Sequence, residues 1–210
     1  EIGCGDGRLW DSYQGECKDK DVFLSDISVG MVEEAKKRGP KEFNYMEIDA
    51  MRIPFKDNYF DCVIANHTLF YLNDVNKGIK EIARVLKPDG KLYCTTYGSK
   101  HMKEITDIAK SFDNKITLSE NVLYERFGLD NGEKILSSCF YNIEKNVYED
   151  QLVVDKAEPI FDYIISCHGN QNERIGKNVT LFFKHIEKMI EQQKSLPITK
   201  EAGMFIAMKK

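Results

Sequence analysis

Glu1-Ile2-Gly3-Cys4-Gly5-Asp6-Gly7, running on into Arg8-Leu9-Trp10, is the segment on which the reading of this chain turns. It reads as the end of a buried strand that breaks into a glycine turn and then a helix. Glycine enters left-handed backbone freely and leaves the main chain bare, so a ligand can approach where a side chain would block it. A nucleotide-type cofactor is the first reading. An ordinary tight turn uses the same residues, and the segments that follow decide between the two.

Outward from the turn, each expected strand closes on a polar group. Asp21-Val22-Phe23-Leu24-Ser25-Asp26 is an apolar run ending in a carboxylate; Ser28 is placed to cap a helix over residues 31–38, and Gly39-Pro40 stops it. Asp26 follows the glycines by about 20 residues, the interval at which a Rossmann-like unit sets an acid to hold a ribose diol. Helix capping is the plainer alternative for that acid. Residues 43–50 predict a third strand ending in Asp49-Ala50, and Pro54 with Asp57-Asn58 marks residues 51–60 as a connection. Residues 61–66 read as a continuous apolar strand, which a parallel sheet covered on both faces requires, with Asn66 at its carboxyl end where such sheets bind ligands. Val75, Ile79, Ile82, Ala83 and Leu86 keep helical spacing until Pro88 and Gly90, and residues 91–97 predict a fifth strand. Strand and helix thus alternate as in a doubly wound α/β sheet.

Composition bounds the function classes. The 210 residues suit one domain with an insertion. A formal net charge of -4, from 30 basic and 34 acidic side chains, offers no overall attraction for nucleic acid or an anionic membrane. No apolar run reaches the roughly 18 residues of a bilayer span, and no signal peptide is visible. The chain opens in mid-strand and without methionine, which is read as a missing upstream segment. Its six cysteines show neither C-x-x-C pairs nor short spacing to the four histidines, so no metal site is expected, and a reducing cytoplasm is the simplest setting.

Residues 1 to about 98 resemble the class I S-adenosylmethionine-dependent methyltransferases, in the type 11/25-like branch that acts on small molecules. The glycine segment resembles that family's first motif, and Ser25-Asp26-Ile27-Ser28 with Met31 its second-strand signature. Asp49-Ala50 with Ile53-Pro54-Phe55, then Phe60-Asp61-Cys62-Val63, and finally Arg84-Val85-Leu86-Lys87-Pro88-Asp89-Gly90 are similar to its later motifs. The resemblance implies a Rossmann-like doubly wound sheet of seven strands, the last antiparallel and lying between the fifth and sixth. It also implies S-adenosyl-L-methionine as cofactor. Gly3, Cys4 and Gly5 would then pass backbone against its methionine half, which Glu1 helps hold. Asp26 would bind the ribose, Ile27 and Met31 would pack on the adenine, Asp49 and the Ala50 amide would read the ring, and Asn66 would sit near the sulfonium. These residue types suit those partners, acids for hydroxyls and amines and apolar side chains for a purine face.

The carboxyl half is less distinctive. Helices are expected over 101–112, 133–139, 159–167 and 178–193, a sixth strand over 141–148 that 152–154 extends or follows, and a last strand over 203–208. The domain reading is a cofactor-binding domain over 1–158, a helical insertion over 159–200 that caps the substrate cleft or merely covers the sheet, and a final strand in 201–210. Displacement from a sulfonium needs chiefly proximity and alignment, so a catalytic side chain is not obligatory. Where the acceptor is a hydroxyl, His67, then His101, are the candidate bases and Tyr71 an orienting hydroxyl, each with a plain packing role as the alternative.

Three rival readings share parts of this pattern. A nicotinamide oxidoreductase would want G-x-G-x-x-G, whereas the third glycine here comes one residue early. A methyltransferase acting on a protein or nucleic-acid acceptor is the second; a nucleic-acid amino-methylating enzyme would carry an aromatic Asn/Asp-Pro-Pro motif where this chain has Asn66-His67-Thr68-Leu69, whereas a protein acceptor has no such marker. The third, a non-catalytic cofactor-binding module, keeps the same signature. The partner expected is a small-molecule methyl acceptor, with no nucleic acid and no membrane; the sequence does not set the oligomeric state.

Overall fold

A computed structural model describes every residue other than 14, 16, 120 and 121. Its elements begin with β1 (Phe23–Asp26), α1 (Val29–Arg38), β2 (Asn44–Glu47), β3 (Phe60–Asn66), α2 (Val75–Val85) and β4 (Leu86–Tyr97). There follow α3 (Lys103–Phe112), α4 (Leu123–Arg126), α5 (Gly132–Leu136), β5 (Phe140–Val154), α6 (Ala157–Ser166), α7 (Gln171–Ile175), α8 (Val179–Gln193) and β6 (Leu196–Lys209). The chain divides into one unit of residues 1–97, 123–146 and 203–210 and another of 98–122 and 147–202.

The first unit carries the glycine turn. β1 and β2 pair in parallel, Phe23 opposite Asn44 through to Asp26 opposite Glu47. A second sheet runs β3-β4-β6-β5, so the last strand lies between its two predecessors, where the resemblance puts it. The expectation of one seven-stranded sheet is corrected: among the described residues there are six strands in two sheets. The difference lies at Ile2, which forms a single parallel bridge to Ser25, too little ladder for a strand. Its N–H donates to the Ile64 carbonyl at 2.9 Å and the Ser25 N–H donates to the Glu1 carbonyl at 2.9 Å, so this one residue ties the two sheets together.

Local chemistry sets the boundaries. The Ser28 hydroxyl accepts from the Met31 N–H and starts α1, and Asp74 accepts from the Lys77 N–H at 2.9 Å and starts α2. Ile79 and Ile82 of α2 are fully buried in a core shared with Val63, Ala65, Leu92 and Cys94 of the sheet. β4 begins at Leu86, five residues before the expected start, because Lys87-Pro88-Asp89-Gly90 forms a bulge inside the strand: the register moves from Phe60 opposite Leu86 to Cys62 opposite Lys91, and Asp89 has φ 60°. A bulge is where a strand tolerates proline.

Arg84, near the end of α2, fastens the irregular 53–57 connection. Its guanidinium donates to the carbonyls of Phe55 (2.7 Å) and Ile53 (2.8 Å) and pairs with Glu81 and Asp57, while Glu81 also accepts from the Ile53 N–H at 3.0 Å.

The second unit has its own core of Ile105, Ile108 and Ala109 from α3, Ile160 and Ile164 from α6, and Phe182, Ile186 and Ile190 from α8. Among the described residues no helix is long and apolar enough to cross a membrane.

Candidate functional site

Three glycines with positive φ shape the turn, and each has a different reason to be glycine. Gly3 (φ 67°) leaves no room: a Cβ there would lie 1.8 Å from the Thr68 hydroxyl oxygen. Gly7 (φ 80°) lets α1 come close, with Ala35 Cβ 3.2 Å from where its own would be. Gly5 (φ 55°) meets no protein atom within 4 Å, so its bareness is not required by packing and its backbone faces open space.

Asp26 ends β1 directly beside this turn. One carboxylate oxygen accepts from the Gly5 N–H at 3.0 Å and the other from the Ser28 N–H at 2.9 Å. Of roughly four acceptor positions on a carboxylate, two are thereby committed to the backbone and two remain for a ligand. Asp49 follows β2 and turns one oxygen back on the Met51 N–H at 2.8 Å, and Ala50 is buried. Because β1 and β2 are parallel and the Ile48 N–H donates to the Asp26 carbonyl at 3.0 Å, both acids leave the same edge of neighbouring strands. Around Asp26, Ile27 is 66% and Met31 45% exposed, apolar surface held open to solvent on a polar rim.

Glu1 lies at the centre of a hydrogen-bonded chain along the carboxyl ends of β3 and β4. Its carboxylate accepts from the Trp10 indole at 2.7 Å and from the Asn66 side-chain amide at 3.4 Å. The Asn66 side-chain carbonyl accepts from the Thr95 hydroxyl at 3.2 Å, and the Thr95 oxygen accepts from the His67 N–H at 3.1 Å. Sequence reasoning missed Trp10 and Thr95. The available signals were a lone tryptophan just beyond the glycines and a threonine on the fifth predicted strand, and neither reveals what it faces.

Cys4 stands in the turn, but burial, reinforced by the Glu1 and Asp26 carboxylates, pushes its thiol up to about 12, so it stays protonated and is no nucleophile. His67 has left-handed backbone (φ 46°) just beyond β3; more than a third of the residue is exposed, yet the surrounding protein desolvates its ring enough to lower its pKa below 6.5 and favour the neutral form. Tyr71 closes a short 3-10 turn, Leu69–Tyr71, stacks edge-on to Phe70 and is 65% exposed. His101 lies in the second unit, where its Nδ1 accepts from the Glu201 N–H at 3.2 Å. Glu1, Gly3, Cys4, Gly5, Asp26, Ile27, Met31, Asp49, Ala50, Asn66, His67 and Tyr71 all belong to the first unit.

A cavity of about 710 Å³ lies elsewhere, among Phe23, Phe55, Tyr59, Phe60 and Cys62, between the amino-terminal parts of β1 and β3. Of the residues assigned to the cofactor it touches Glu1 alone. Ile2 lies between those two strands, bridging to Ser25 and donating to the Ile64 carbonyl. Ligand sites of open α/β sheets sit at the opposite, carboxyl edge, so position outweighs size here. Among the described residues no cluster of three or more His, Cys, Asp or Glu side chains is set to hold a metal.

The chain is thus an α/β protein with a glycine turn and acids at successive strand ends. Residues 1–94 match the family model described as a methyltransferase domain. Among similar proteins is a ubiquinone/menaquinone biosynthesis C-methyltransferase of Pectobacterium atrosepticum, 30% identical over 97 residues, 44% of this chain and 39% of that protein. A malonyl-[acyl-carrier protein] O-methyltransferase of Buchnera aphidicola is 30% identical over 142 residues, 59% of this chain and 56% of that one. A phosphoethanolamine N-methyltransferase of Haemonchus contortus, solved with phosphomonomethylethanolamine and S-adenosylhomocysteine, shares the fold at TM-score 0.56 and 19% identity over 99% of this chain and 47% of that chain. The matched stretch thus spans less than two thirds of each of these proteins.

Proposed function

We propose that this chain is an S-adenosylmethionine-dependent methyltransferase acting on a small-molecule acceptor. The observation that carries the reading is Gly5: its left-handed backbone faces open space while its N–H is tied to Asp26, the acid at the end of the adjoining strand. What sets this open glycine apart is that its N–H is bound to the carboxylate at the end of the adjoining strand. The residues present fit the cofactor. Glu1 suits its ammonium group, the open positions on Asp26 its ribose hydroxyls, Ile27 and Met31 the adenine faces, Asp49 with the Ala50 amide the adenine edge, and Asn66 the sulfonium end.

When bound, S-adenosylmethionine supplies a methyl group on a sulfonium, already a good leaving group. The protein's part is to bind and align, which contributes several kcal/mol without acid or base. If the acceptor must lose a proton, the neutral His67 is able to accept it; Tyr71 and His101 stand behind it as candidates. The similar proteins methylate carbon, oxygen and nitrogen by name, so likeness leaves the reacting atom open. We assign acceptor choice to the helical insertion of residues 159–200, and read the last strand, β6, as antiparallel to its neighbours, in a cytoplasmic protein.

Calorimetric titration tests the reading: S-adenosylmethionine and S-adenosylhomocysteine should bind and NAD should not. Binding of NAD alone would overturn it. Binding without turnover on a broad acceptor panel would instead favour a non-catalytic module.

A further inference from the structure

We propose that Thr95 is a positioning residue that fixes the Asn66 amide, and through it the Glu1 carboxylate, for a ligand's primary ammonium group. The inference rests on the cofactor reading above and extends it to residues outside the motifs.

Each link in the chain of hydrogen bonds runs one way only. The Trp10 indole is a donor and nothing else, so a Glu1 oxygen must face it, at 2.7 Å. The carboxylate is only an acceptor, so Asn66 must offer its NH2 rather than its carbonyl to the other Glu1 oxygen. An asparagine amide has nearly the same shape in both orientations, and its partners decide which one it takes. Here Glu1 sets the orientation and Thr95 secures the other end of the amide. The Thr95 oxygen accepts from the His67 N–H at 3.1 Å, and its hydroxyl donates to the Asn66 carbonyl at 3.2 Å. The Asn66 NH2 is thereby held towards Glu1. Trp10 and Thr95 act as the two ends of a clamp that holds the Glu1 carboxylate at the entrance to the glycine turn with acceptor positions to spare. A carboxylate held in this way selects a cationic donor, so the clamp discriminates for ligands that carry the amino-acid end and against those that lack it.

The test compares two ligands that share the adenosine and thioether but differ at that end, S-adenosylhomocysteine and 5′-methylthioadenosine. Calorimetry on the wild-type chain, Thr95→Val and Thr95→Ser should show Thr95→Val weakening S-adenosylhomocysteine by about 3- to 10-fold, the size expected for one lost hydrogen-bond link. Methylthioadenosine affinity should not change, and Thr95→Ser, which keeps the hydroxyl, should bind both ligands as the wild type does. Trp10→Phe should repeat the selective loss. Equal weakening of both ligands, or of neither, in Thr95→Val would overturn the proposal while leaving the cofactor reading intact. If the wild type binds neither ligand, the cofactor reading fails and the clamp falls with it.

Discussion

Gly3 and Gly5 share a residue type and a sign of φ, yet their substitution should have opposite signatures. In Gly3→Ala the new methyl collides with Thr68 on top of the left-handed strain, and we expect a loss of about 2–4 kcal/mol of stability in chemical denaturation. Gly5→Ala carries the strain alone, about 1–2 kcal/mol, but its methyl projects into the space reserved for ligand; the protein should fold while calorimetry finds S-adenosylhomocysteine affinity reduced at least about 10-fold. A Gly5→Ala protein with undiminished affinity would show that the open space is not used. Asp26 has two duties, accepting from Gly5 and Ser28 as well as from the proposed ribose. Asp26→Asn should therefore weaken binding by about 1–3 kcal/mol and also lower the thermal midpoint, since an amide keeps one acceptor oxygen and leaves one of the two backbone N–H groups facing its NH2.

Among the elements, the same arithmetic applies to the connection that Arg84 holds. Its fork serves two carbonyls and two carboxylates at once, a geometry that lysine's single ammonium cannot reproduce. Arg84→Lys should cost about 1–2 kcal/mol, discounted for partial exposure, and should speed proteolysis within residues 53–57. The elements also show where sequence was informative. β1, β3, α1 and α2 follow from apolar runs, caps and stops that act within a few residues, and the structure places them within two residues of expectation. β4 was expected to begin at 91 because Pro88 and Gly90 ordinarily end regular structure; a bulge, made possible by a partner strand distant in sequence, absorbs them. β5 runs on to Val154, the first of the two alternatives the sequence left for residues 152–154, and α7 carries no periodicity in its five polar-rich residues. At the site the motif residues were legible, whereas Trp10 and Thr95 were not, since what they face is fixed by tertiary pairing rather than by neighbours in the chain.

For the molecule as a whole, two titrating groups point to the same acid limb. The hydrogen bond from Arg84, then that from the Ile53 N–H, lowers the Glu81 pKa below its usual 4.5 against the opposing effect of burial. A depressed carboxylate contributes stability that is present above the unfolded value and is lost as pH falls through the folded one. His67, lowered by desolvation below 6.5, is neutral in the fold; unfolded chains take up its proton first, so its contribution too is full above the unfolded value and lost on acidification. Urea midpoints should decline below about pH 6.5 and again below about 4.5, with His67→Gln flattening the first step and Glu81→Gln the second; a wild-type profile flat across both windows would contradict these assignments.

The central claim is one of place: the ligand lies at the carboxyl edge of the first unit, against the bare turn, and not in the aromatic cavity. Amide NMR shift mapping with S-adenosylhomocysteine tests it directly. The account predicts the largest perturbations at Gly3, Gly5, Asp26, Ile27, Ala50 and Asn66; shifts concentrated instead on Phe23, Phe60 and Cys62, or no shifts at all, would contradict it.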